Sequence, residues 1–174
     1  LIFLGLLVQR LFYLLLGNSP AALRMPDFIS GVAMVPLTYL VTKMLFTSTP
    51  THGTGAASKR TSALSLAGLI AAAFVAINSA LIEYSVNARG YGMQICFFLL
   101  MLCLAQYLKT NAFKNFAAWV GIPVFAFLGF WTIPTMLYPF VGFLFWFWGS
   151  TFFELPRSNR FKFTFHLGLV SGAA

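Results

Sequence analysis

The spacing of the charges limits what this chain can fold into. Residues 28–42, 61–82, 90–108 and 115–153 carry no charged side chain. A helix needs about 20 apolar residues to cross the hydrocarbon of a bilayer, and three of these four runs have that length or more. Only 8% of the 174 residues are charged and 60% are hydrophobic, whereas a soluble domain is about a quarter charged. The runs are apolar on all faces and lack the period-two alternation of an outer-membrane barrel. They predict an all-α, polytopic transmembrane protein.

Five full spans are expected, at about 28–46, 63–82, 92–108, 116–132 and 135–153, with a partial span from about 163. All belong to one transmembrane domain. Residues 1–16 are apolar but interrupted by Gln9 and Arg10, and are short for a span. They read as an interfacial helix or part of a longer one. Pro26 is expected in the first turn of the first span. Pro36 is expected to kink that span, which membrane helices tolerate. Cys96 and Cys103 lie in one predicted helix, separated by a rise of roughly 10 Å, too far for a disulfide. They read as small apolar packers.

The net charge of +8 does not indicate nucleic acid. The basic residues are scattered singly and in pairs between spans, with no dense basic face. With alternating crossings, Lys43, Lys59, Arg60, Lys109, Lys114, Arg157, Arg160 and Lys162 fall on one side. Arg10, Arg24 and Arg89 fall on the other, with Asp27 and Glu83. The positive-inside rule assigns the larger group to the cytosol.

The non-cytosolic face therefore holds two of the three carboxylates and all the lone arginines. Its densest segment is "ALIEYSVNARGYG", residues 80–92. An arginine at a span end often snorkels to the headgroups, and tyrosines populate the same belt. A Glu83–Arg89 pair would need the turn to bend, since six residues apart are not neighbours on a helix. The functional reading is an anion site. A guanidinium grips phosphate with a bidentate fork, and a tyrosine hydroxyl adds a donor. At this depth the ligand would be a phosphorylated lipid. A nearby carboxylate could bind a metal or act as a base.

Three blocks carry a family resemblance. The first is Leu16-Gly17-Asn18-Ser19, then Ala22-Leu23-Arg24-Met25-Pro26, then Leu37-Thr38-Tyr39-Leu40 with Leu45-Phe46. The second is Tyr84-Ser85, Ala88-Arg89 and Tyr91, and the third is "FLGFWTIPTMLYP". In order, spacing and topological side they resemble the GT-C glycosyltransferases, and among these the dolichyl-phosphate-mannose protein mannosyltransferase-like family. The matches run through most of residues 11–149.

The resemblance implies a GT-C-like membrane domain and an inverting transferase. The donor would be a polyprenyl- or dolichyl-phosphate-linked sugar. The acceptor would be a protein, lipid or glycan on the non-cytosolic face. It implies substrate binding by Arg89, Tyr84, Tyr91 and Arg24. The family's catalytic acid, acting as base or linked to a divalent metal, is expected upstream of Leu1 with an "HPPL"-like segment, so the piece alone would be inactive. Asp27 stands where the family has a small polar residue and is not expected to be the catalyst. Glu83 is the remaining candidate for the catalytic acid in the outer loops, a poor match for the base, and no metal-ligand set is legible. The third block points to a bacterial plasma membrane, with the ER membrane as alternative. Two other functions compete. A transporter or lipid flippase would use Pro36, Pro123 and Pro134 as helix breaks, and a non-catalytic assembly subunit would use the charges only as anchors.

Overall fold

The computed structural model describes residues 3–17, 19–47, 57–86 and 90–154, together with residues 164, 168 and 172. All elements among them are helices: α1 (Phe3–Leu16), α2 (Pro20–Thr47), α3 (Ala57–Ile77), α4 (Ser79–Val86), α5 (Tyr91–Thr110), α6 (Phe116–Thr132), a 3-10 turn (Pro134–Met136) and α7 (Leu137–Glu154). The partial span expected from about 163 lies outside the described segments.

Helix starts follow local chemistry. The Ser19 hydroxyl accepts a hydrogen bond from the Ala22 N–H at 3.2 Å, and Pro20 takes the first helical position. This pairing satisfies one orphan donor and presets φ. The helix therefore begins at Pro20, ahead of the expected start near residue 28, and Pro26 lies inside it. Hydroxyls back-bond beside both internal prolines, Ser30 to the Pro26 carbonyl and Thr38 to the Met34 carbonyl, each at 2.8 Å. The expected single helix over 63–82 is broken at Asn78. The Asn78 side chain accepts from the Leu81 N–H at 3.2 Å and caps a new helix, α4. Asn115 caps α6 by accepting from the Ala118 N–H at 3.3 Å. That helix has the bounds expected from sequence, 116–132.

Helix α2 is the hub, packed against α1, α3, α4 and α5. Its direction relative to α5 follows from matched contacts. The Gly90 N–H meets Asp27, Cys96 Sγ donates to the Ser30 carbonyl, and Gln106 Nε2 donates to the Met44 carbonyl. Positions rise together on both helices, so they run parallel. Helix α3 returns antiparallel along α2: Gly68 abuts Tyr39, and Val75 and Ala76 lie near Phe28 and Val32. Helices α5 and α6 are antiparallel, with Phe97 stacked on Phe125 at 6.1 Å and Leu104 against Gly121. Helix α7 is antiparallel to α6, with Phe140 edge-on to Phe130 and Phe147 beside Trp119. Met101, Ala105 and Leu108 of α5, Ala118, Ile122 and Ala126 of α6, and Phe143 and Phe147 of α7 close this core. Their spacing by three and four places each set on one helix face.

Two ends follow from these directions. One, the basic end, carries Lys43, Lys109 and Lys114, with Lys59 and Arg60 in the first turn of α3. The other, the site end, holds the start of α2 with Arg24 and Asp27, all of α4 with Glu83, and the start of α5. The exterior is apolar. Phe116 and Tyr138 are 79% exposed and Ile77 72%, while Asp27, Thr132 and Thr151 are 0% exposed. Two helical segments, Pro20–Phe46 and Tyr91–Thr110, are long and apolar enough to cross a membrane.

Candidate functional site

The site end is organised around the first turn of α5. Gly90 precedes that helix in the left-handed region, at φ 77°, where a side chain is strained. A Cβ on Gly90 would also lie 2.8 Å from Thr132 Cγ2. The Gly90 N–H donates to Asp27 Oδ2 at 3.4 Å. A Cβ on Gly92 would sit 3.2 Å from the Asp27 carbonyl oxygen and 3.6 Å from its Oδ1. The two glycines of "RGYG" therefore clear the space in which α2 and its carboxyl group meet α5.

Asp27 differs from the expectation. The sequence places it in an outer loop, yet it lies in the second turn of α2, fully buried. The helix dipole explains how a carboxylate fits there. The unpaired N–H groups at the start of α5 present partial positive charge, which favours an anion. Gln9 of α1 approaches the same carboxyl, although Oδ1 makes no hydrogen bond of standard geometry. Nearby polar groups are satisfied. Thr135 Oγ1 donates to Gln94 Oε1 at 3.1 Å, and Thr132 Oγ1 donates to the Leu128 carbonyl at 2.8 Å.

The structure brings Tyr84 and Tyr91 together. Their ring centroids are 5.1 Å apart with planes at 43°, a tilted aromatic pair that bridges α4 and α5. Tyr84 is 41% exposed. Arg24 is exposed at the same end, three residues before Asp27, and Glu83 is exposed on α4. Arg89 lies outside the described residues.

Beside these groups, between α2, the end of α3 and α4, is a groove of about 250 Å³. Phe28, Val32, Val75, Ile82 and Val86 are among its walls, and all its lining residues are apolar. The end thus combines an exposed aromatic and cationic rim with an apolar trough, the two chemistries of a phosphorylated amphiphile.

Sequence reasoning missed Asp27, Gln9, Gln94 and Thr132. The available signal was a carboxylate seven residues after a Ser-Pro helix start, together with two glycines framing a tyrosine. Among the described residues no three His, Cys, Asp or Glu side chains come together. Comparison with known proteins found no matching protein family, no matching curated protein and no matching solved structure.

Proposed function

We propose that this chain is part of a multi-pass membrane glycosyltransferase of the GT-C type. It would move a sugar from a polyprenyl- or dolichyl-phosphate donor to a protein, lipid or glycan acceptor on the non-cytosolic face. The observation that carries the reading is the Tyr84–Tyr91 pair beside an entirely apolar groove, at the end that also bears Arg24. The groove suits the isoprenoid, and the rim suits the phosphate at headgroup depth. Arg89 enters three positions after α4 and one before Gly90. Its role would be to stabilise the charge left on the lipid phosphate as the sugar departs.

Membrane insertion is supported by the exterior. A surface carrying this many exposed large apolar side chains is disfavoured in water and favoured in lipid. The separation of Lys43, Lys109 and Lys114 from Arg24 and Glu83 supports a cytosolic basic end. A bacterial plasma membrane is the proposed location.

The test is transfer of labelled sugar from a polyprenyl phosphate by the full-length protein in liposomes. Transfer that falls at least a hundredfold with Arg89→Ala supports the reading, by analogy with loss of one charge-stabilising donor. A mutant as active as wild type removes Arg89 from the site. One observation favours a second reading, a transporter or flippase. A buried carboxylate inside a candidate span is a common mark of an ion or substrate path, and Asp27 is one. Lipid movement between leaflets without sugar transfer would decide for it.

A further inference from the structure

The buried carboxyl of Asp27 has no part in the resemblance and none in the transfer step proposed above. Its surroundings define a different task. It accepts from the N–H of Gly90, the residue that caps the start of α5. Gly90 is held in the left-handed region between Thr132 and that contact. The next residue is Tyr91, which packs on Tyr84, and the preceding residue is Arg89. Gly92, having no side chain, lets the first turn of α5 come close to Asp27: a Cβ there would lie 3.2 Å from the Asp27 carbonyl oxygen.

We infer that Asp27 is a positioning residue. It fixes the first turn of α5 from the neighbouring helix, and thereby the position of Tyr91 against Tyr84, the pair that would meet the ligand. One feature separates this from a packing role and a second from a catalytic one. An aliphatic side chain would fill the same volume without accepting from Gly90. A catalytic acid would need access to substrate, whereas Asp27 is 0% exposed. Gln9 extends the lock to α1, so three helices meet at one carboxyl group. The consequence for ligand binding rests on the proposed function, while the structural lock does not.

The experiment compares wild type, Asp27→Ala and Asp27→Asn full-length protein in detergent micelles. Asparagine keeps an acceptor oxygen for Gly90 and loses the charge. The first readout is amide hydrogen exchange by mass spectrometry. Asp27→Ala should speed exchange over residues 90–94 about tenfold, the effect of losing one hydrogen bond to a charged group. Peptides at the far end of α5 should not change. Asp27→Asn should recover most of the protection. The second readout is binding of a sugar-free polyprenyl phosphate, weaker with alanine and near wild type with asparagine.

Unchanged exchange with alanine overturns the inference, as does a uniform rise along α5. Faster local exchange with unaltered lipid-phosphate binding also overturns it, because the turn would then position nothing. If Asp27→Asn abolishes sugar transfer but keeps exchange and binding, Asp27 acts in the chemistry and the positioning role falls. If alanine prevents folding, the asparagine variant decides alone. Protection and binding within threefold of wild type support the lock, and loss of both overturns it. Wild type that binds no polyprenyl phosphate refutes the glycosyltransferase reading, and the exchange result still decides the lock.

Discussion

Asp27 and Gly90 are 63 residues apart in sequence and share a 3.4 Å hydrogen bond inside the protein. The contact requires a glycine at its other end. Its φ of 77° places Gly90 in the left-handed region, and its missing Cβ leaves room for Thr132. Gly90→Ala should therefore destabilise the protein by about 2–3 kcal/mol, from backbone strain plus the clash. Thr132→Ser removes the clashing methyl. The double variant should recover about 1 kcal/mol relative to additivity in a thermal-denaturation cycle. Strict additivity would mean that the two residues do not meet.

The Tyr84–Tyr91 pair makes two separable contributions. Removing one ring, as in Tyr84→Ala, should destabilise the α4–α5 junction by about 1 kcal/mol. Tyr84→Phe keeps the ring and loses only the hydroxyl, so melting should be unchanged. If the hydroxyl donates to a lipid phosphate, Tyr84→Phe should weaken polyprenyl-phosphate binding severalfold, in keeping with about 1 kcal/mol for one hydrogen bond. Equal binding by Tyr84→Phe and wild type would confine Tyr84 to a packing role.

The two ends of the bundle predict a topology. Arg24 and Lys114 are both exposed and lie at opposite ends. In a background with Cys96 and Cys103 replaced by alanine, single cysteines at 24 and 114 can be probed with a membrane-impermeant maleimide. Intact cells should label position 24, and position 114 should react only after permeabilisation. Reversed labelling would invert the assigned topology. Labelling of both in intact cells would exclude a membrane between them.

These elements differ in how far the sequence disclosed them. Helix α6 was readable to the residue because Asn115 caps it and a Thr-Ile-Pro turn ends it. The start of α2 was not, because Pro26 resembles a first-turn proline when the Ser19–Pro20 cap is overlooked. The break at Asn78 hides within an apolar run, where one polar residue leaves hydropathy almost unchanged. The Tyr84–Tyr91 proximity depends on how α4 and α5 meet, which spacing alone does not determine. Asp27 was the least legible. A carboxylate near a span end reads as a loop residue, and only the packing of another helix's N-terminus against it makes an interior position tolerable. Local chemistry thus predicted the helices, while the centre of the candidate site arises from contacts across more than sixty positions.

The groove between α2, α3 and α4 gives the most direct separation of tail from head. Ala76 is a small residue on its wall, so Ala76→Phe would fill part of the roughly 250 Å³ space. Exposed on the groove side, the larger ring should leave the melting temperature nearly unchanged, since surface substitutions usually fall within about 0.5 kcal/mol. A long isoprenoid donor would lose buried length, at about 0.8 kcal/mol per methylene excluded. Its KM should rise about tenfold, while a donor of one or two isoprene units should be transferred as by wild type. Parallel losses for long and short donors would place the effect at the head-group rim. No loss for either would show that the lipid tail runs elsewhere on the apolar exterior.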